Sequence, residues 1–77
     1  MVTRYYQYVG NAIRTSRKQH KYTQQQVADK VGIKRSLYSQ YERGACSIAL
    51  RTWLEIANVL ELDAAQIAME ALAYEQQ

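Results

Sequence analysis

The sequence has no proline, no phenylalanine and only one cysteine and one histidine among its 77 residues. The single cysteine, Cys46, excludes an internal disulfide, and His20 without a cysteine cluster argues against a structural metal site. No segment approaches the roughly 20 apolar residues of a membrane span, and the first ten residues lack the apolar core of a signal peptide. A lone thiol fits a reducing compartment. We therefore expect a cytoplasmic protein with no metal, no cofactor and no membrane contact.

Glycine is also scarce, with three in the chain, and the lack of glycine and proline favours helices joined by short connections. A chain of this length has room for one domain, residues 1–77, with a thin core. Because no disulfide or metal is available to stabilise such a core, association with a second copy stays open.

Positive charge is missing from the end of the chain. All ten Lys and Arg residues lie between Arg4 and Arg51, where only Asp29 and Glu42 oppose them, and the remaining five acids all lie in residues 52–77. This asymmetry indicates a polyanionic partner on one side of the molecule. The alternative is a basic surface that is merely solvated.

The apolar periodicity predicts an all-α chain of five helices, at about 3–19, 23–31, 34–43, 49–60 and 63–75. The first boundary is open, because Val2, Thr3, Tyr5 and Tyr6 also suit a short strand or arm. In the fourth helix the expected inner stripe comprises Leu50, Trp53, Leu54, Ala57 and Leu60.

Residues typical of helix ends support these boundaries. Thr23 with Gln26, and Asp63 with Gln66, have the spacing of capping boxes at the starts of the second and fifth helices. Gly32 and Gly44 are placed to end the second and third helices in a left-handed conformation.

The third helix has two different faces. At 100° per residue, Leu37, Tyr38 and Tyr41 lie on one side, and the opposite side shows a small polar face without an acid, made by Arg35, Ser36, Ser39 and Gln40. Arginine pairs with guanine, glutamine with adenine and serine with either, so the face suits the major groove of DNA. The alternative is an ordinary solvated helix face.

Residues 9–60 resemble the phage repressor/Cro-type (XRE-type) helix-turn-helix family. The resemblance rests on Thr23-Gln24, Val27-Ala28, Val31-Gly32-Ile33, Tyr38-Ser39 and Tyr41-Glu42-Arg43-Gly44, with Gly10, Ile13, Arg14 and Arg17 before them and Leu50, Ala57 and Leu60 after. It implies a compact five-helix, lambda-repressor-like domain in which the second helix crosses the DNA backbone and the third enters the major groove.

The resemblance also implies residue roles. Arg35, Ser36 and Gln40 fall on the family's main base-reading positions, with Lys34, Ser39 and Leu37 adjacent, and Leu37 is expected near a thymine methyl group. Thr23, Gln24 and Arg43 fall on phosphate-contacting positions. Arg17 and Glu42 occupy positions that often form a structural ion pair. The chain departs from the family where Ile48 replaces a frequent proline and where Tyr38 and Tyr41 replace aliphatic residues.

The fifth helix has more apolar residues than one narrow stripe requires, which indicates contact with another chain; alternatively, its alanines simply favour helix. The expected dimer contacts are Ile67, Met69, Leu72 and Tyr74.

These observations predict a sequence-specific double-stranded DNA-binding regulator, a repressor that binds a near-palindromic operator as a homodimer. The rival hypothesis is an antitoxin-like or adaptor protein whose C-terminal segment binds a protein partner, such as a toxin or an anti-repressor. RNA is a lesser alternative, because the third helix offers few exposed aromatic rings for stacking. An enzyme is not expected, since Cys46 and His20 lie in unrelated segments without an acidic partner and no phosphate-binding glycine loop is present.

Overall fold

Five α-helices form the structure, a computed structural model that describes residues 3–77. They are α1 (Arg4–Gln19), α2 (Gln24–Val31), α3 (Arg35–Glu42), α4 (Leu50–Val59) and α5 (Ala64–Glu75), and no strand occurs in the described part of the chain. The predicted all-α class and five-helix order are confirmed, with boundaries within two residues. Val2 lies outside the described residues, so the alternative of an N-terminal strand is decided only from Thr3 onward.

The start of α1 is helical rather than extended. The Thr3 side chain caps the helix by accepting a hydrogen bond from the Tyr6 amide at 3.4 Å. Tyr5 and Tyr6 follow within the helix, and Val9, Ile13 and Ser16 form its buried stripe. From Thr3 onward this β-branched and aromatic segment is therefore helical, because a capped amphipathic helix buries Val9 and Ile13 and leaves Tyr5 and Tyr6 half-buried.

The helix ends follow the local signals closely. At α2 the capping box is complete, since the Thr23 oxygen accepts from the Gln26 amide and the Gln26 side chain accepts from the Thr23 amide. Gly32 ends α2 at φ 84°. After α3 the cap is Arg43, and the left-handed residue is the next one, Gly44, at φ 66°.

The predicted capping box at α5 is wrong in one half. Asp63 accepts from the Gln66 amide at 3.0 Å, as expected. The Gln66 side chain, however, turns along the helix and donates to Glu70 at 2.9 Å. The capping geometry would use only the side-chain oxygen of Gln66 as an acceptor, whereas the Glu70 carboxylate one turn away provides a charged acceptor for its side-chain nitrogen.

The inner face of α4 also differs from the prediction. Leu50 and Leu54 are exposed, at 72% and 49%, whereas Ile56 is completely buried. Trp53, Ala57 and Leu60 are buried as expected. The helix is rotated relative to the predicted stripe because its core contacts run through residues 53, 56, 57 and 60, which also have helical spacing.

One core joins all five helices. It contains Val9, Ile13, Val27, Ala28, Tyr38, Tyr41, Trp53, Ile56, Ala57, Leu60 and Ala71. Helix α1 lies across the molecule and contacts both α3 and α5, while α2 packs between α3 and α4. This arrangement holds α2 and α3 as a rigid pair.

Candidate nucleic-acid interface

Helix α3 presents a polar outer face because its inner face is anchored by tyrosines. Tyr38 is completely buried and Tyr41 is 6% exposed. The outward side chains of Arg35, Ser36 and Gln40 are all exposed. The eight-residue helix therefore offers donors and acceptors to a partner while its own position is fixed by the core.

The residues that flank this face differ in their exposure. Lys34 is exposed at the N-cap, where no side chain caps the helix. Ser39 is half-buried. Leu37 is also half-buried and packs against the core, so only part of its side chain remains for contact with a ligand.

Arg43 and Gly44 connect α3 to the loop that follows it. Arg43 is exposed, and its backbone amide donates to the Ser39 carbonyl at 3.2 Å. Gly44 lies so close to α1 that a Cβ atom would be 2.8 Å from the Cα of Gln7. The loop is thereby held against α1 while the Arg43 side chain points into solvent.

The start of α2 lies next to the start of α3. Thr23 is exposed and its hydroxyl oxygen is occupied by the capping bond, which leaves the hydroxyl hydrogen for another acceptor. Gln24 is half-buried between the two helices. Its side-chain oxygen accepts from an Arg35 guanidinium nitrogen at 3.3 Å.

Arg17 and Glu42 form an ion pair beneath this surface. Arg17 Nε lies 2.6 Å from Glu42 Oε2, and a second nitrogen lies 3.2 Å from Oε1. Arg17 also donates to the Tyr22 carbonyl in the α1–α2 connection. The Glu42 side chain is only 3% exposed, so the pair joins α1, the following loop and the end of α3.

The charge on Glu42 is maintained by its neighbours. Burial alone would raise the pKa of this carboxyl group, but Arg17, the nearby Tyr38 hydroxyl and the Gln24 amide together outweigh burial and leave the pKa below its ordinary value. The Tyr38 hydroxyl has no hydrogen-bond partner among the described residues, and burial raises the pKa of Tyr38 far above its usual range. Glu42 is therefore the ionised member of this buried group and Tyr38 the neutral one.

Sequence reasoning missed the contacts of Gln24. Its amide nitrogen donates to Glu42 Oε1 at 3.0 Å, and its oxygen accepts from Arg35. These partners are 18 and 11 residues away in the chain, and no local pattern links them. The contacts arise only when α2 packs on α3.

The expected dimer residues of α5 do not share one environment. Ile67 is half-buried and packs against the core. Tyr74 is in contact with α1, since its ring centroid lies 5.5 Å from that of Tyr8 and the Arg4 guanidinium lies over it at 5.1 Å. Met69 and Leu72 are exposed, at 66% and 43%. Among the four expected dimer residues, Met69 and Leu72 are therefore the most exposed.

Three further observations concern residues 3–77. No described helix is both long and apolar enough to cross a membrane. No group of three His, Cys, Asp or Glu residues in this range is placed to hold a metal ion. Cys46 is half-buried in the loop after α3.

Comparison with known proteins agrees with the α2–α3 geometry. A family model described as helix-turn-helix matches residues 13–67. The chain is 42% identical over 50 residues to an uncharacterized HTH-type transcriptional regulator, YqaE, of Bacillus subtilis (strain 168). The match covers 65% of this chain and 43% of the relative, so the chain spans less than half of that relative's length.

A solved structure has the same fold. The crystal structure of the clp gene regulator ClgR from C. glutamicum matches with a TM-score of 0.80 at 20% identity, covering 92% of this chain and 91% of that chain. The helix-turn-helix match extends over more than two-thirds of the present sequence. The chain therefore belongs to the XRE-type helix-turn-helix family of transcription regulators.

Proposed function

We propose that this chain is a cytoplasmic, non-enzymatic, sequence-specific regulator that binds double-stranded DNA through α3 and acts as a repressor. The observation that carries the proposal is the outer face of α3, where Arg35, Ser36 and Gln40 are exposed on a helix held by buried tyrosines. A rigid helix with an acid-free, donor-rich face suits the major groove, which is about 12 Å wide.

Specificity comes from the side chains at this face. Arg35 offers a bidentate donor pair for guanine, Gln40 a donor and an acceptor for adenine, and Ser36 a hydroxyl for either. Ser39 and Lys34 lie at the margins, and the exposed part of Leu37 suits a thymine methyl group. Each good bidentate pair contributes about 1–3 kcal/mol of discrimination.

Affinity comes mainly from the phosphates beside the groove. Thr23 and Gln24 lie at the N-terminus of α2, where amide groups and the helix dipole favour an anion. Arg43 extends from the loop at the other end of α3. Each phosphate neutralised lowers the slope of log affinity against log salt concentration by about 0.9.

The complete regulator is proposed to be a homodimer on a near-palindromic operator. Two copies of α3 then enter successive major grooves about one helical turn apart, and the bound dimer excludes other proteins from the site. The exposed side chains of Met69 and Leu72 are the proposed centre of the dimer contact, with Ile67 and Tyr74 at its edges.

The same α5 surface supports a second candidate function. Met69 and Leu72 are exposed apolar residues in the part of the chain that carries five acids and no base. A basic protein partner, such as a toxin or an anti-repressor, would suit this surface. Substitutions in α3 would then leave partner binding unchanged, whereas they abolish operator binding by a repressor.

Selection from random duplex DNA at about 0.1 M salt, where phosphate contacts still contribute strongly, tests the proposal. The wild type should enrich a two-fold symmetric site, and the Arg35→Ala/Gln40→Ala variant should not. Failure of a folded wild-type sample to enrich any sequence would contradict the proposal and favour the protein-partner function.

A further inference from the structure

Four side chains connect the interior of the domain to the outer face of α3. Arg17 donates to Glu42, Gln24 donates to Glu42 at 3.0 Å, and Arg35 donates to the Gln24 oxygen at 3.3 Å. The Glu42 side chain is 3% exposed and Gln24 is half-buried, whereas Arg35 is exposed. A buried charge is thus linked through one amide to a side chain that faces the proposed DNA site.

The chemistry of these groups fixes the orientation of the Gln24 amide. An ionised carboxylate only accepts hydrogen bonds and a guanidinium only donates them. Gln24 lies between the two, so its nitrogen must face Glu42 and its oxygen must face Arg35. The reverse orientation would place oxygen against oxygen on one side and donor against donor on the other, leaving both bonds unmade.

We propose that Glu42 is a positioning residue for base reading, because it orients the Gln24 amide and through that amide the Arg35 guanidinium. This inference rests on the proposed function and adds to it a role for two residues that do not themselves read bases. An arginine side chain has many rotamers, and a fixed acceptor beside it reduces the freedom that is lost when it pairs with guanine.

The proposal differs from a simple phosphate contact in what it predicts for Gln24. Gln24→Met keeps the length of the side chain but removes both hydrogen bonds. If Gln24 positions Arg35, this variant should lose about tenfold in discrimination at the one base pair that Arg35 reads, with smaller changes elsewhere. The base pair is identified with Arg35→Ala, in which the added change Gln24→Met should have no further effect on discrimination.

Gln25→Met is the matched control. Gln25 is the next residue of α2, is exposed, and donates to Asp29 on its own helix at 2.8 Å. Gln25 has the same side chain as Gln24 but is hydrogen-bonded to neither Glu42 nor Arg35. Discrimination at every base pair should equal that of the wild type.

Glu42→Gln tests the buried end of the hydrogen-bonded series Glu42–Gln24–Arg35. The new amide either donates or accepts, so it no longer imposes one orientation on Gln24. We expect reduced discrimination at the same base pair, and no additional reduction when Glu42→Gln is combined with Gln24→Met. Binding is measured at a temperature where circular dichroism shows each variant to be folded.

A measurement on the wild type covers the case in which Glu42→Gln does not fold. Nitrogen-15 relaxation of side-chain amides in the DNA-free protein should show the Gln24 amide ordered. A Gln24 amide that is averaged by fast motion would overturn the proposal, since a mobile amide cannot orient Arg35.

Two results of the binding measurements would contradict the inference. If Gln24→Met weakens binding equally on all sequences and discrimination at the Arg35 base pair is retained, Gln24 is only a phosphate contact and the inference is wrong. If the wild type itself shows no base preference, the proposed function fails, and the inference fails with it for that separate reason.

Discussion

At the scale of single residues, the buried carboxylate of Glu42 is the group on which the stability of this domain depends most clearly. Its carboxylate is almost completely buried, yet it stays ionised because Arg17 and Gln24 both donate to it. The pair differs from surface ion pairs, whose net contribution is small, because removal of one partner leaves a buried charge without compensation.

Arg17→Met should therefore destabilise the fold. We expect a loss of about 2–3 kcal/mol, at or just below the range for fully enclosed pairs because Arg17 keeps 13% of its side-chain exposure. Urea unfolding at pH 7 measures the change. Arg14→Met is the matched control, since Arg14 is an exposed arginine on the same helix that bonds only to Asn11 among the described residues.

The pH dependence gives a second check on the same pair. Because the pKa of Glu42 is lowered in the folded protein, its stabilising contribution is present above its ordinary pKa and is lost as the pH falls through the folded value. The difference in stability between wild type and Arg17→Met should thus shrink in acid. A difference that stays constant from pH 7 to about pH 3 would contradict an ion pair as its source.

His20 should make an opposite contribution to pH dependence. The Ser16 carbonyl, 2.8 Å from Nδ1, and then Glu61, 3.0 Å from Nε2, raise the pKa of His20. The folded state therefore binds the proton more tightly, so this contribution is complete below pH ~6.5 and is lost as the pH rises. Melting temperatures at pH 5.5 and pH 8 should differ less for His20→Gln than for the wild type, and an equal difference would exclude this contact as a cause.

At this scale, the sequence could predict contacts between residues that are close in the chain but not contacts that form when helices pack. The Thr23 cap and the left-handed Gly32 were predicted correctly because each depends on residues a few positions away. Gln24 was assigned only to phosphate, and its contacts with Glu42 and Arg35 were missed because they require two helices to pack. The exposure of Leu50 was missed for the same reason.

At the scale of helices, the close approach of α1 and α3 sets the position of α3. A Cβ atom at Gly10 would lie 2.5 Å from the Tyr41 carbonyl oxygen and 2.7 Å from that of Glu42. Both atoms belong to the backbone of α3 and cannot move independently of the helix. The absence of a side chain at Gly10 therefore determines how deeply α3 sits against α1.

Gly10→Ala should push α3 outward and destabilise the domain by about 2–3 kcal/mol. Gly32→Ala is the comparison, because Gly32 has φ 84° but no atom within 4 Å of the added Cβ. Its cost, from backbone strain alone, should be about 1 kcal/mol. Thermal unfolding of both variants checks the order, and an equal or larger effect at Gly32 would contradict the close-packing account.

Helices α4 and α5 both leave apolar side chains exposed, which makes the proposed dimer contact testable. Met69→Glu should convert the proposed dimer to monomers in sedimentation measurements, since a charge within an apolar contact is not compensated. Leu54→Glu makes the same change on α4, where Leu54 is 49% exposed, and should leave the dimer intact. The reverse result would place the contact on α4 instead of α5.

The helix order could be predicted from the sequence, but the orientation of each helix could not. Periodicity identified five helices because apolar spacing is a local property. In α4, however, residues 50, 53, 54 and 57 and residues 53, 56, 57 and 60 both have helical spacing, and only packing selects the second set. In α5, Tyr74 contacts Tyr8 of α1, a packing that the apolar spacing within α5 does not determine.

At the scale of the whole molecule, basic and acidic residues belong to different parts of the chain. All ten basic residues belong to the part of the chain from Arg4 to Arg51, which includes α2, α3 and the loop after α3. The C-terminal residues carry only acids. A polyanion should therefore be attracted to the part of the chain that contains α1, α2 and α3, and like-charge repulsion should disfavour its contact with the acidic residues of α5.

Base reading by α3 is tested by the equilibrium affinity of the wild type and Arg35→Ala for the selected operator and for single-base-pair variants of it. The wild type should prefer the operator, and Arg35→Ala should lose about 1–3 kcal/mol of binding free energy on it, with relaxed specificity at one position. Equal losses on every sequence would show that Arg35 contacts only phosphate, and equal affinities of the wild type for all duplexes would contradict base reading by α3.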